Sequence, residues 1–111
     1  MKINSEKLDY SLKSLIFLEE FILNSYDDYE SLKKDELFMK FSSEYLGECF
    51  MKKYGGYWDI EKDEENAFYN LQIVKRGNIK ICPLTLIYAT LDRKKGDYLY
   101  KVVNNYKKYI D

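Results

Sequence analysis

Residues 55–83, GGYWDIEKDEENAFYNLQIVKRGNIKICP, decide the fold. Gly55-Gly56 closes whatever helix precedes it, because glycine readily takes the left-handed conformation of a helix C-terminus. Tyr57–Ile60 is short and aromatic. Residues 67–74 then alternate, with Ala67, Tyr69, Leu71 and Ile73 on one face and Phe68, Asn70, Gln72 and Val74 on the other. Gly77-Asn78 turns the chain, residues 79–82 return it, and Pro83 suits the first position of a new helix. Three strands with short connections predict an antiparallel meander whose edges need cover.

Both flanks of this meander read as helices. On the N-terminal side Leu8, Leu12, Leu15, Ile16, Leu18, Ile22 and Leu23 recur at helical spacing, which predicts a first helix from residue 5 to about residue 26 with Ser5 as N-cap. Tyr10, Phe17 and Phe21 make a second stripe on nearly the opposite side, so this helix packs between two layers or forms the seam of a homodimer. Residues 27–34 are polar and interrupt the pattern. Asp35 then caps a second helix bearing Leu37, Phe38, Phe41, Tyr45, Leu46, Cys49 and Phe50. On the C-terminal side Leu84, Ile87, Tyr88 and Leu91 predict a third helix ended by Gly96. Asp97 caps a fourth, with Leu99, Val102, Val103, Tyr106 and Ile110 inward. The expected fold is a single α+β domain over residues 1–111 in the order ααβββαα: two N-terminal helices, a three-stranded antiparallel meander and two C-terminal helices.

Composition narrows the function classes. With 46% hydrophobic and 33% charged residues the chain has enough apolar surface to offset the entropy lost on folding. Eighteen Lys and Arg against nineteen Asp and Glu leave a formal charge of −1, without the positive excess that favours nucleic acid. No apolar run approaches the roughly 20 residues that cross a bilayer, so no membrane association is expected. The opening Met-Lys-Ile-Asn-Ser-Glu-Lys lacks the order of a secretory signal, and the expected address is the cytoplasm. Cys49 and Cys82 each sit in an apolar pattern and are expected to be buried, unpaired thiols.

The absence of histidine removes the usual general base near neutral pH and the commonest metal ligand, which disfavours an enzyme. Neither a cofactor nor a metal is expected: the two cysteines are not clustered, Gly55-Gly56 follows a helix rather than a strand, and the acidic run after Trp58 lacks the central glycine of a calcium loop. Two carboxylates, Glu19 and Glu48, fall by helical phase among apolar neighbours and are expected to be partly buried against Arg76, Arg93 or a tyrosine hydroxyl. A buried carboxylate pair can serve as acid and base. Binding suits the composition better, because tyrosine presents a rigid apolar body with a polar tip and this chain has twelve. The candidate partner-binding residues are Tyr26, Asp27, Asp28, Tyr29 and Glu30, extended by Asp59, Glu61, Asp63, Glu64 and Glu65, a surface suited to a basic protein.

At Tyr45-Leu46-Gly47-Glu48, Gly55-Gly56-Tyr57-Trp58, Gly77 and Pro83 the chain resembles small uncharacterised bacterial α+β domains with a YxGE…GGxW layout, over roughly residues 45–91. Some proteins of this look are immunity proteins associated with bacterial polymorphic toxins, so the resemblance implies an inhibitor without identifying its binding residues. Read residue by residue, Gly47 permits close helix packing, Glu48 needs a buried or rim partner, and Trp58 fills the space between sheet and helix. The expectation is a protein-binding module, an immunity protein that neutralises a cognate bacterial toxin by occlusion. The alternatives are a phage or mobile-element inhibitor of a host defence protein, and a small enzyme that uses buried carboxylates.

Overall fold

The helical periodicity from Leu8 onward does not make one helix. In the computed structural model, which describes residues 5–110, a 3-10 turn covers Ser5–Lys7 and helix α1 spans Ser14–Ser25. The break is local: the Asp9 carboxylate accepts from the Ser11 N–H at 3.0 Å and from its hydroxyl at 2.6 Å, a turn that competes with helix, and Tyr10 takes a φ of 65°. The expected stripe therefore dissolves. Tyr10 stacks on Tyr45 with ring centroids 4.7 Å apart, Phe17 stays 36% exposed beside the Lys7 ammonium, and Phe21 leans on Phe38 at 5.2 Å.

The polar segment that follows hides a short helix, α2 (Tyr29–Lys33). Its start is a capping box: the Ser31 N–H donates to the Asp28 carboxylate at 2.9 Å and the Asp28 N–H to the Ser31 hydroxyl at 3.3 Å. Helix α3 (Glu36–Tyr54) is capped as expected, with the Phe38 N–H on Asp35 Oδ1 at 3.1 Å and Gly55 at φ 84° closing its end. Leu37 is 82% exposed, because it lies one residue off the buried stripe Phe38, Ser42, Tyr45, Cys49.

The sheet is the expected meander, in the order β1 (Tyr57–Ile60), β2 (Gln72–Arg76), β3 (Ile79–Ile81), both pairs antiparallel. Trp58 lies opposite Val74, and Val74 opposite Ile81. Strand β2 starts at Gln72 rather than Ala67. Asn66 and Asn70 set successive turns ahead of it: the Phe68 N–H donates to Asn66 Oδ1 at 2.8 Å, and Asn70 takes a φ of 66°. Ile73 and Val74 are both buried, so β2 is covered on both faces and the alternation expected there breaks down.

Pro83 opens helix α4 (Pro83–Arg93), which ends at Lys94 with φ 49° rather than at Gly96. Helix α5 (Tyr98–Asn105) runs into a 3-10 turn, Tyr106–Tyr109. Asp97 stands at its N-cap position without capping it and pairs with Lys101 instead, at 3.1 Å. The cap comes from α1: Glu19, fully buried, accepts the Tyr98 N–H at 3.2 Å and the Leu99 N–H at 2.8 Å. A carboxylate is favoured there, because the unpaired N–H groups of a helix N-terminus carry partial positive charge.

One hydrophobic core joins helices α1 to α5 and the sheet, with Leu15, Leu18, Phe38, Leu46, Phe50, Val74, Ile87 and Leu99 fully buried in it. Helix α1 packs on α4 and α5, and α3 on α4 and β2. Each such buried Leu or Phe contributes roughly 1.5–3 kcal/mol. No helix among the described residues is long and apolar enough to cross a membrane, and no group of three or more His, Cys, Asp or Glu side chains there is arranged to hold a metal ion.

Cys49 and Cys82 are buried free thiols, and burial pushes the Cys49 pKa up to about 11. Because the thiolate is the reactive species, both are expected to resist a thiol–disulfide exchange reagent in the native protein at about pH 8 and to react together once urea unfolds the chain. Rapid modification of Cys49 without urea would show that α3 does not hold its buried face, and of Cys82 that the junction of β3 and α4 opens.

Asp35 supplies a pH dependence. The Tyr26 hydroxyl, donating to Oδ2 at 2.7 Å, and the Phe38 N–H hold its carboxyl below the ordinary 3.8. A carboxyl whose pKa is depressed by folding contributes stability at neutral pH that is lost as pH falls through the unfolded and then the folded value. Asp35→Asn is therefore expected to flatten the fall of stability below about pH 4, measured as urea midpoints from pH 7 downward. A variant curve parallel to the wild type would remove Asp35 from the acid response.

Candidate binding groove

Helix α3 has two useful faces. The buried one builds the core, and beside it Phe41, Glu44, Tyr45 and Glu48 recur at i, i+3, i+4 and i+7 toward a groove of about 360 Å3. Trp58 of β1, Gln72 of β2 and Tyr10 ahead of α1 complete its wall.

Each wall is held by a specific contact. Tyr45 is buried, and its hydroxyl oxygen accepts the Tyr10 N–H at 2.9 Å and lies 2.6 Å from Ser14 Oγ. Ser14 Oγ gives its own proton to the Ser11 carbonyl, so Tyr45 is the donor to Ser14. Burial pushes the Tyr45 pKa up to about 12, which keeps this relay neutral over the physiological range. The relay pins Tyr10 over Tyr45, and Phe41 packs against Tyr45 with ring centroids 5.9 Å apart. Trp58 is fixed by its indole N–H, which donates to Glu48 Oε1 at 3.1 Å. The outer edge of its six-membered ring also rests against Gly47: a Cβ there would overlap the indole and stand 3.1 Å from Cζ3.

The electrostatics of the groove are one-signed. Glu44 and Glu48 are exposed, one helical turn apart, and neither takes part in an ion pair among the described residues. Lys52, the i+4 neighbour of Glu48, donates instead to the Asp9 carbonyl at 3.2 Å. Like charges at this spacing cost an isolated helix roughly 0.2–0.5 kcal/mol, which a cation between them relieves. On the far flank of Tyr10 a second hollow of about 400 Å3 has the opposite character, with Lys13, Lys52, Lys53 and Tyr100 in its lining.

None of the ten residues singled out in the sequence as partner-binding lines the groove. Tyr26 is half-buried on Phe38, with its pKa raised by burial and then by Asp35. Asp28 caps α2, Tyr29 packs on Tyr88 at 4.4 Å while remaining 40% exposed, and Asp27 and Glu30 are exposed. In the second stretch Asp59 pairs with Lys75 at 3.2 Å. Glu61 is only 4% exposed and bound to Lys80 at 2.9 Å, so it is a support of the sheet rather than part of a docking surface. Asp63, Glu64 and Glu65 are exposed, and among the described residues no hydrogen bond or ion pair joins the two stretches.

The expected burial of both singled-out carboxylates holds for Glu19 alone. Glu48 is exposed, and Glu19 is satisfied by backbone N–H groups rather than by Arg76, Arg93 or a hydroxyl. Arg76 donates to the Tyr54 carbonyl at 3.1 Å and Arg93 lies over the Tyr98 ring, so a buried acid–base pair of Glu19 and Glu48 is not formed. Glu44 and Gln72 carried no signal of their own in the sequence. The recurrence of Phe41, Glu44, Tyr45 and Glu48 on one helical face was the available clue.

No family model, curated protein or solved structure matches this chain.

Proposed function

We propose that this chain is a protein-binding module that docks a basic protein on the face formed by α3 and β1, acting by occlusion as an immunity protein does on its toxin. One observation carries the reading: two carboxylates without an ion pair among the described residues stand on a rigid helix within a frame of four aromatic rings. Aromatic side chains at protein interfaces supply contact area at small entropic cost, and uncompensated acids steer a basic partner toward them.

The test is affinity capture from a lysate of the source cells with the wild-type chain and with the Glu44→Gln/Glu48→Gln double variant in parallel. A basic protein recovered in stoichiometric amount by the wild type and lost by the variant supports the reading. Its toxicity on expression, relieved by co-expression of this chain, supports the immunity role. A partner retained equally by both chains, or no partner, overturns the groove as the docking face.

A further inference from the structure

Resting on that protein-binding reading, we infer that the groove is a receptor for one arginine side chain of the partner, with the guanidinium lodged between the Glu44 and Glu48 carboxylates and against the rings of Trp58 and Tyr10. The volume, about 360 Å3, falls at the small end of the roughly 300–1,000 Å3 typical of ligand pockets, enough for a side chain and its flanking backbone.

The lining selects a cation. The faces of Trp and Tyr rings attract positive charge through their quadrupoles, most strongly where water is displaced. Glu48 spends one oxygen on the Trp58 N–H and keeps Oε2 as an acceptor, Glu44 adds two more oxygens one turn away, and the Gln72 amide adds a carbonyl. The chain does not satisfy these acceptors with its own cations among the described residues: the three ion pairs there involve Asp59, Glu61 and Asp97.

The lining also separates arginine from lysine. A guanidinium is flat, stacks on aromatic faces, and carries five donors in a fork that can reach two carboxylates at once. An ammonium is a compact, strongly hydrated point charge whose three donors lack that planar fork and which does not stack. The walls are set in advance. Trp58 is seated on Gly47 and Glu48, and Tyr45 is locked by Tyr10 and Ser14, so little ordering remains to be done on binding.

Trp58 is the sole tryptophan and stands in the groove, so its fluorescence reports occupancy directly. The probes are the tripeptide acetyl-Gly-Arg-Gly-amide, its lysine and citrulline counterparts, and free L-arginine, each titrated at low salt. The arginine tripeptide is expected to change Trp58 emission saturably in about the millimolar range and to bind more weakly as salt is added. The lysine tripeptide is expected to bind at least about fivefold more weakly, and the citrulline tripeptide, a neutral isostere, not to saturate. Glu44→Gln, which removes charge from an exposed position, is expected to reduce affinity about tenfold while keeping the circular dichroism spectrum and Tm of the wild type.

Saturation by citrulline, or indifference to Glu44→Gln, overturns the inference. Equal binding of lysine and arginine tripeptides overturns the choice of guanidinium while leaving a docked basic protein intact. Free arginine binding more tightly than the tripeptide makes the groove a small-molecule site and overturns the partner as its source. If the arginine tripeptide behaves as expected and capture yields no protein that depends on Glu44 and Glu48, the protein-binding reading fails separately.

Discussion

Glu19→Ala is expected to lower the free energy of unfolding by about 2–5 kcal/mol, because each backbone donor that loses its acceptor costs roughly 1–3 kcal/mol. The substitution removes both acceptors for the Tyr98 and Leu99 N–H groups, leaving the buried Leu99 donor and the part-buried Tyr98 donor without their partner. It also frees the start of α5, an eight-residue helix too short to persist without tertiary support. Against a typical total of roughly 5–15 kcal/mol, the variant retains a small margin. Glu19→Gln keeps one carbonyl acceptor and turns an amide toward the second donor, so a smaller loss of about 1–3 kcal/mol is expected. Asp97→Ala, which removes a partly exposed side chain that caps nothing, is expected to change little. Equilibrium urea unfolding followed by circular dichroism separates the three. Glu19→Ala within about 1 kcal/mol of wild type, or Asp97→Ala costing more than Glu19→Ala, contradicts the assignment of the cap to α1.

Gly47→Ala is expected to empty the groove of its tryptophan. Two effects of opposite sign meet at this position. Alanine in a helix interior is favoured over glycine by up to about 1 kcal/mol. The new methyl group overlaps the indole of Trp58, however, and overpacking costs roughly 1–3 kcal/mol unless something moves. Trp58 is a half-buried side chain at the surface edge of the core and can swing off, which forfeits its contact with α3 and its bond to Glu48. The net stability change is then modest, about 1–2 kcal/mol downward, while the effect on the site is large. Trp58 emission should move to longer wavelength and the response to the arginine tripeptide should disappear. A variant about 1 kcal/mol more stable than wild type, with unchanged emission, is what an unencumbered helix glycine gives, and it would show that the indole does not rest on Gly47.

Local chemistry explains which elements were legible in the residues. Asp35 capping α3, Gly55 ending it, Gly77-Asn78 turning the sheet and Pro83 opening α4 each act within a few residues of themselves, and each stands where its side chain or backbone freedom requires. The errors have the same scale. Asp9 and Ser11 made a turn that outweighed the apolar spacing of Leu8 and Leu12, and Asn66 and Asn70 did the same to the apparent alternation before Gln72. The Asp28–Ser31 box was present in the sequence as a helix start, obscured by the polarity of its surroundings.

The groove was legible only in pieces. Tyr45, Gly47, Glu48 and Trp58 stood out together, but as packing residues, because sequence assigns a helical position to a stripe and not to the element that stripe will meet. Glu44 had the composition of an ordinary solvated face. Which carboxylates remained without an ion pair was decided by the routing of Lys52 to the Asp9 carbonyl and of Lys75 and Lys80 to Asp59 and Glu61.

By itself, then, the sequence determined the α+β class, the antiparallel meander, both ends of α3 and the start of α4, since those follow from periodicity, glycine, proline and capping over short spans. Tertiary structure alone decided that Glu19 caps a helix 79 residues away, that Tyr10 folds back onto Tyr45, and that Trp58 closes a groove with Glu44 and Glu48. The reason is physical: hydrogen bonds and ring contacts between distant segments depend on how the core brings elements together, and that juxtaposition leaves no periodic trace in the chain.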